Sequence, residues 1–128
     1  MRLERRAALA LLVSVPWVVA TTPVARADAR AIRAVVEAQL AAFAADDAER
    51  AFSYAAPAIR TMFGTAEKFV AMVRHGYPVV YRPASVAFLV AETGEGGKLL
   101  QRVRMTDAES VPWNVVYELE RQPDKQWR

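Results

Sequence analysis

The hydrophobic pattern changes period once, at Pro83, and that single switch narrows the available folds more than any other feature of the chain. Before it, Ile32, Val35, Val36, Leu40 and Phe43 recur at the three-and-four spacing of one helical face, and Phe69, Met72 and Val73 do the same further on. After it, Leu99, Gln101, Val103 and Met105 alternate with Arg102 and Arg104. Helices followed by an antiparallel meander define an α+β domain, in which the N-terminal helices cover one face of a sheet.

Punctuation residues set the expected boundaries. Asp28 is suited to cap the first helix, Asp46 and Asp47 to end it and cap a second over 48–55, and Pro57 to open a turn over 58–63. Thr65 is suited to cap a third helix that closes at Gly76. Val86, Phe88 and Val90 read as a buried strand, and 93–98, with glycines at 94, 96 and 97, as a hairpin loop. A last strand carries Trp113, Val115, Tyr117 and Leu119 inward and Asn114, Glu118 and Glu120 outward. Antiparallel joining through 107–111 would set Val103 opposite Tyr117 and Arg102 opposite Glu118. Trp127 and Arg128 read as the start of a further strand.

The first 27 residues differ in kind from the rest. Arg2, Arg5 and Arg6 precede an uncharged run over 7–20 rich in Leu, Val and Ala, and the segment finishes Ala25-Arg26-Ala27. A positive head, an apolar middle and an Ala-x-Ala end are the parts of a secretory signal peptide. Cleavage is expected after Ala27, leaving one domain over 28–128 in the periplasm or outside the cell. The apolar run is shorter than the roughly 20 residues a membrane span needs and contains Pro16, so no stable anchor is expected after cleavage. Arg5 and Arg6 admit a twin-arginine route, although Glu4 and Ala8 fit that motif poorly.

Charge supports the same division. The chain has 17 basic and 14 acidic residues, a formal charge of +3, and four of the basic and one of the acidic residues lie in the leader. The domain itself is balanced, which removes the electrostatic footprint of a nucleic-acid binder. With no cysteine and one histidine, disulfides, thiolate chemistry and a His-rich metal site are not expected, and no cofactor is called for.

Three blocks carry a resemblance: Phe52-Ser53-Tyr54-Ala55-Ala56-Pro57-Ala58-Ile59-Arg60, then Phe69 to Tyr77 with its Met-Val-Arg-x-Gly-Tyr word, then Val80-Tyr81-Arg82-Pro83. With Trp113, the run Tyr117 to Glu120 and Trp127, they resemble a bacterial family described as domain of unknown function 4864. That family resembles the nuclear-transport-factor-2-like superfamily, which implies helices folded against a curved sheet to form a cone with a cavity. Some relatives in that superfamily are isomerases or cyclases and others only bind, so the resemblance implies a fold and no activity. Its members continue past the Trp-Arg pair into a final strand. Here that strand is expected to be missing, which would leave 113–119 as an open edge prone to pairing with a second copy.

The cone makes inward aromatics the pocket candidates: Tyr54, Tyr77, Tyr81, Trp113 and Tyr117, with Arg82 as a grip for an anionic group. Each ring can equally fill the core, and Arg82 or Arg60 can equally tie a loop to a carboxylate such as Asp46 or Glu67. His75 is the candidate general base if the protein is an enzyme, and otherwise complements a helix C-terminus beside Arg74. Ketosteroid-type isomerisation needs a carboxylate base in an apolar cavity, yet the aspartates at 28, 46, 47, 107 and 124 all fall at caps or turns. No nucleophile motif, phosphate-binding loop or calcium loop is present. The expected function is a non-catalytic domain binding a small apolar ligand or an envelope protein. The alternatives are an isomerase or cyclase-like enzyme using a pocket Tyr with His75, and a structural homodimer.

Overall fold

The computed structural model describes the backbone of residues 2–4 and the whole of residues 23–128. Most of the expected leader lies outside the described residues. An α+β domain of helices followed by an open antiparallel sheet is observed.

The helical part comprises α1 (Arg26–Ala44), α2 (Ala48–Ser53), α3 (Pro57–Phe63), α4 (Ala66–Gly76) and α5 (Pro78–Tyr81). The first helix starts two residues before the expected cap. Ala25 holds the N-cap position without a side-chain bond, and Asp28 stands in the first turn, where its negative charge suits the helix dipole. Asp47 caps α2 by accepting from Arg50 N, and Thr65 caps α4 by accepting from Lys68 N at 3.3 Å. Pro57 and Pro78 occupy the first turns of α3 and α5, where a missing N–H leaves no bond unmade. The second helix ends at Ser53, short of the expected residue 55.

Phe69 organises the helical core. Its ring lies 6.1 Å from Phe43, 5.4 Å from Phe52 and 5.9 Å from Phe63, so α1, α2, α3 and α4 meet on one side chain. Ile32, Val36, Val73 and Val80 are fully buried around this cluster. Gln39, the one buried polar side chain of α1, donates to Ala51 O at 3.1 Å and ties α1 to α2.

The strands are β1 (Arg2–Glu4), β2 (Ser85–Phe88), β3 (Glu92–Thr93), β4 (Leu99–Thr106) and β5 (Pro112–Leu119), in the order β1-β5-β4-β2 with β3 also against β4. Every pairing is antiparallel. Leu99, Gln101, Val103 and Met105 face the helices with Val115, Tyr117 and Leu119, as the alternation predicts.

Three strand expectations are corrected. The segment read as a buried strand is an edge: Val86 is 38% exposed and Val90 83%, because β2 pairs with β4 alone. The β4–β5 register is shifted by two from the expected one, with Val103 opposite Val115, Gln101 opposite Tyr117 and Arg102 opposite Val116. Asp107 causes the shift: its N–H bonds Val111 O, and its Oδ1 accepts from the N–H of Glu109 and Val111, closing a tight turn. The outer edge of β5 is also bordered. Glu120 and Arg128 exchange backbone bonds of 2.9 and 3.2 Å, and further along the same edge β1 pairs Arg2 with Val116 and Glu4 with Asn114.

Candidate functional site

Where α4 runs into α5, the chain turns at Tyr77, whose backbone ends one helix and begins the next. Pro78 restarts the chain at once in the first turn of α5. Opposite this corner stands the Asp107 turn that joins β4 to β5. Between the two lies a cavity of about 600 Å³, lined by Tyr77, Pro78, Val79 and Arg82 from the helical side and by Asp107, Ala108, Glu109, Trp113, Asn114 and Val115 from the sheet side. That volume suits a small organic ligand.

Asp107, Trp113 and Arg82 have defined partners at this cavity. Trp113 Nε1 donates to Asp107 Oδ2 at 2.9 Å while Oδ1 takes the two turn N–H groups. These donors, the indole foremost, hold the Asp107 carboxyl below the ordinary carboxylate range, so it is ionised at neutral pH. Arg82 is committed elsewhere: Nη2 meets Asp46 Oδ1 at 2.8 Å, and Nη1 donates to Phe43 O and Tyr81 O at 2.5 and 3.0 Å. Glu109 is exposed on the turn.

Three of the six pocket candidates therefore meet here: Tyr77, Arg82 and Trp113. Tyr54 and Tyr117 line a separate cavity of about 30 Å³ beside Gln39 and Ile59, too small for an organic ligand. Tyr117 is 3% exposed, and its hydroxyl has no hydrogen-bond partner; burial pushes its pKa well above the ordinary phenol value. Tyr54 accepts from Arg50 Nε at 3.5 Å. Tyr81 lines neither cavity: it packs 5.9 Å from Phe43 and donates to Asp46. His75 is exposed in the last turn of α4 and lines neither cavity, and Arg60 lies 5.6 Å over the Phe52 ring.

Asp107, Glu109, Val79 and Val115 also line the pocket and were not among the residues expected to do so. An Asp six residues before a Trp, opening a five-residue loop between alternating segments, is the signal that identifies the Asp107 turn. Among the described residues no group of three or more His, Asp or Glu is placed to hold a metal ion, and no helix is long and apolar enough to cross a membrane.

Comparison with known proteins gives one match. A family model described as Domain of unknown function (DUF4864) covers residues 25–128. No curated protein and no solved structure matches the chain.

Proposed function

We propose, from the premise that the chain belongs to the DUF4864 family, that it is a non-catalytic domain which binds a small, largely apolar ligand in the bacterial cell envelope. The observation that carries this reading is the cavity of about 600 Å³, where Tyr77 and Trp113 supply aromatic wall and Val79 and Val115 aliphatic wall. The order of helices and sheet supports reading the fold as a nuclear-transport-factor-2-like cone. Export to the periplasm or beyond is supported by Arg2, Arg5, Arg6, the uncharged run and Ala25-Arg26-Ala27.

Binding is favoured over isomerase or cyclase chemistry because the pocket offers a poor base. The Asp107 carboxylate already accepts three hydrogen bonds and is more acidic than an ordinary carboxylate, whereas proton abstraction needs a pKa raised toward the working pH. His75, the other candidate, stands outside the cavity. Native mass spectrometry of protein purified from periplasm tests the reading. A co-purifying small molecule is the expected result, and a bare polypeptide mass would contradict it.

The homodimer remains as a second reading, favoured by the β5 edge. Leu89 N donates to Arg102 O and Ala84 N to Thr106 O, so alternate β4 residues bond β2 and those between them bond β5. By the same alternation Asn114 and Val116 turn their backbone groups to the outer edge, where β1 meets them. Loss of residues 1–27 would bare that edge for β5 of a second copy. Sedimentation of residues 28–128 as a dimer, with the full chain monomeric, supports this reading; a monomer in both cases removes it.

A further inference from the structure

We infer that leader removal and folding exclude one another in this chain, so that it crosses the membrane unfolded, is cut after Ala27 and folds afterwards. The inference rests on the export reading above and adds to it the state in which the chain is processed.

The first observation is where the cut falls. The helix α1 starts at Arg26, so the Ala27–Asp28 bond lies inside its first turn. Ala29 N–H donates to Ala25 O at 2.9 Å across that bond, and Val24, just before the helix, packs against the core. One turn further on, Ile32 is fully buried and holds the helix to the domain. A peptidase takes its substrate as an extended segment, through main-chain hydrogen bonds of the added-strand kind. Arg26 to Asp28 cannot take that form while the turn stands, so the folded chain is cut only in the fraction whose turn has opened. The reaction is hydrolysis: water adds across the Ala27–Asp28 peptide bond, leaving a carboxylate on Ala27 and an α-ammonium on Asp28.

The second is what the cut leaves behind. In the full chain Ala25 holds the N-cap position without a side-chain bond, and Asp28 stands within the first turn. Once residues 1–27 are gone, Asp28 is the first residue, and its carboxylate can accept from Arg30 or Ala31 N–H, the bond an N-cap makes. The helix can therefore form from Asp28 after cleavage, with Ile32 and Val36 still entering the core.

The third lies at the other end of the leader. The backbone of Arg2–Glu4 is a strand of the folded sheet, with Leu3 opposite Val115 and Glu4 opposite Asn114. A basic head acts through its attraction to the anionic membrane surface. Folding places the backbone of that head in the sheet, so export has to come first.

A purified membrane-bound leader peptidase tests the order on the full chain, folded in buffer or held unfolded in urea, with an unstructured standard peptide correcting for the urea. Mass spectrometry should show residues 28–128 as the product, formed at least about tenfold faster from the unfolded chain. Ala29→Pro removes the N–H that bonds Ala25, yet suits the first position of a helix capped by Asp28. It should raise cutting of the folded chain about fivefold. In cells lacking the twin-arginine transporter, which carries folded proteins, export should persist. Equal cutting of folded and unfolded wild type, no gain with Ala29→Pro, or export lost with that transporter overturns the inference while the export reading stands. No cut after Ala27 in either state overturns both.

Discussion

Tyr81 donates its hydroxyl to Asp46 Oδ1 across 35 residues of sequence, the same oxygen that takes Arg82 Nη2 at 2.8 Å. Asp46 sits at φ 54°, a left-handed conformation that Asp tolerates better than most residues and that ends α1 sharply. Two successive residues at the end of α5 thus hold one strained corner after α1, and Arg74 and Arg82 lie 5.1 and 4.3 Å from the Tyr81 ring centroid. This clamp fixes the helical wall of the pocket.

Acid should loosen it. The Tyr81 hydroxyl, then Arg82, hold the Asp46 carboxyl below the ordinary carboxylate range. A depressed carboxylate contributes stability that is full above its unfolded pKa, about 4, and is lost as the pH falls through the lower folded value. Urea midpoints measured from pH 7 to pH 2.5 should fall less steeply for Asp46→Asn than for the wild type. Superimposable slopes would show that the clamp is inert.

Phe69 should be the most sensitive position in the core. It is 1% exposed and contacts three other rings, so Phe69→Ala removes a large side chain that its neighbours cannot replace. A loss of about 3–5 kcal/mol in chemical denaturation is expected. Phe69→Leu should retain more than half of that.

Tyr117→Phe should go the other way. The buried hydroxyl has no partner, so its removal should leave stability unchanged or raise it by up to about 1 kcal/mol at neutral pH. Burial raises the Tyr117 pKa, so its contribution is complete below the unfolded phenol value of about 10 and is lost as the pH climbs past it. Alkaline unfolding should therefore begin at higher pH in the variant, as circular dichroism can follow.

Thr65 places the start of α4 and through it the Tyr77 corner. Removing the cap with Thr65→Ala should cost about 1 kcal/mol, and Thr65→Asp should retain most of it, because either oxygen can accept from Lys68 N. Thermal denaturation distinguishes the two.

Local pattern made the helices and β4 legible, because Ile32, Val36, Phe43 and the series from Leu99 to Met105 bury one face at its natural period. Val86 and Val90 misled because apolar alternation says nothing about whether a second layer covers the strand. The β4–β5 register escaped because the side chain of Asp107, not the strand pattern, sets the closing pair at Thr106 and Pro112. In the site, aromatic residues were the right type to consider, yet Tyr54, Tyr81 and Tyr117 were separated from Tyr77 and Trp113 by contacts distant in sequence. Asp107 was read as a turn residue, which it is; that the turn also forms a pocket rim depends on α5 lying opposite.

Ligand binding in the cavity is tested by comparing native masses of wild type and Ala108→Trp, both purified from periplasm. Ala108 is exposed on the Asp107 turn and borders the cavity, so an indole there should obstruct the mouth with little effect on the core. A small-molecule adduct is expected on the wild type and its loss from the variant. A bare wild-type mass, or an adduct retained equally by both proteins, would contradict it.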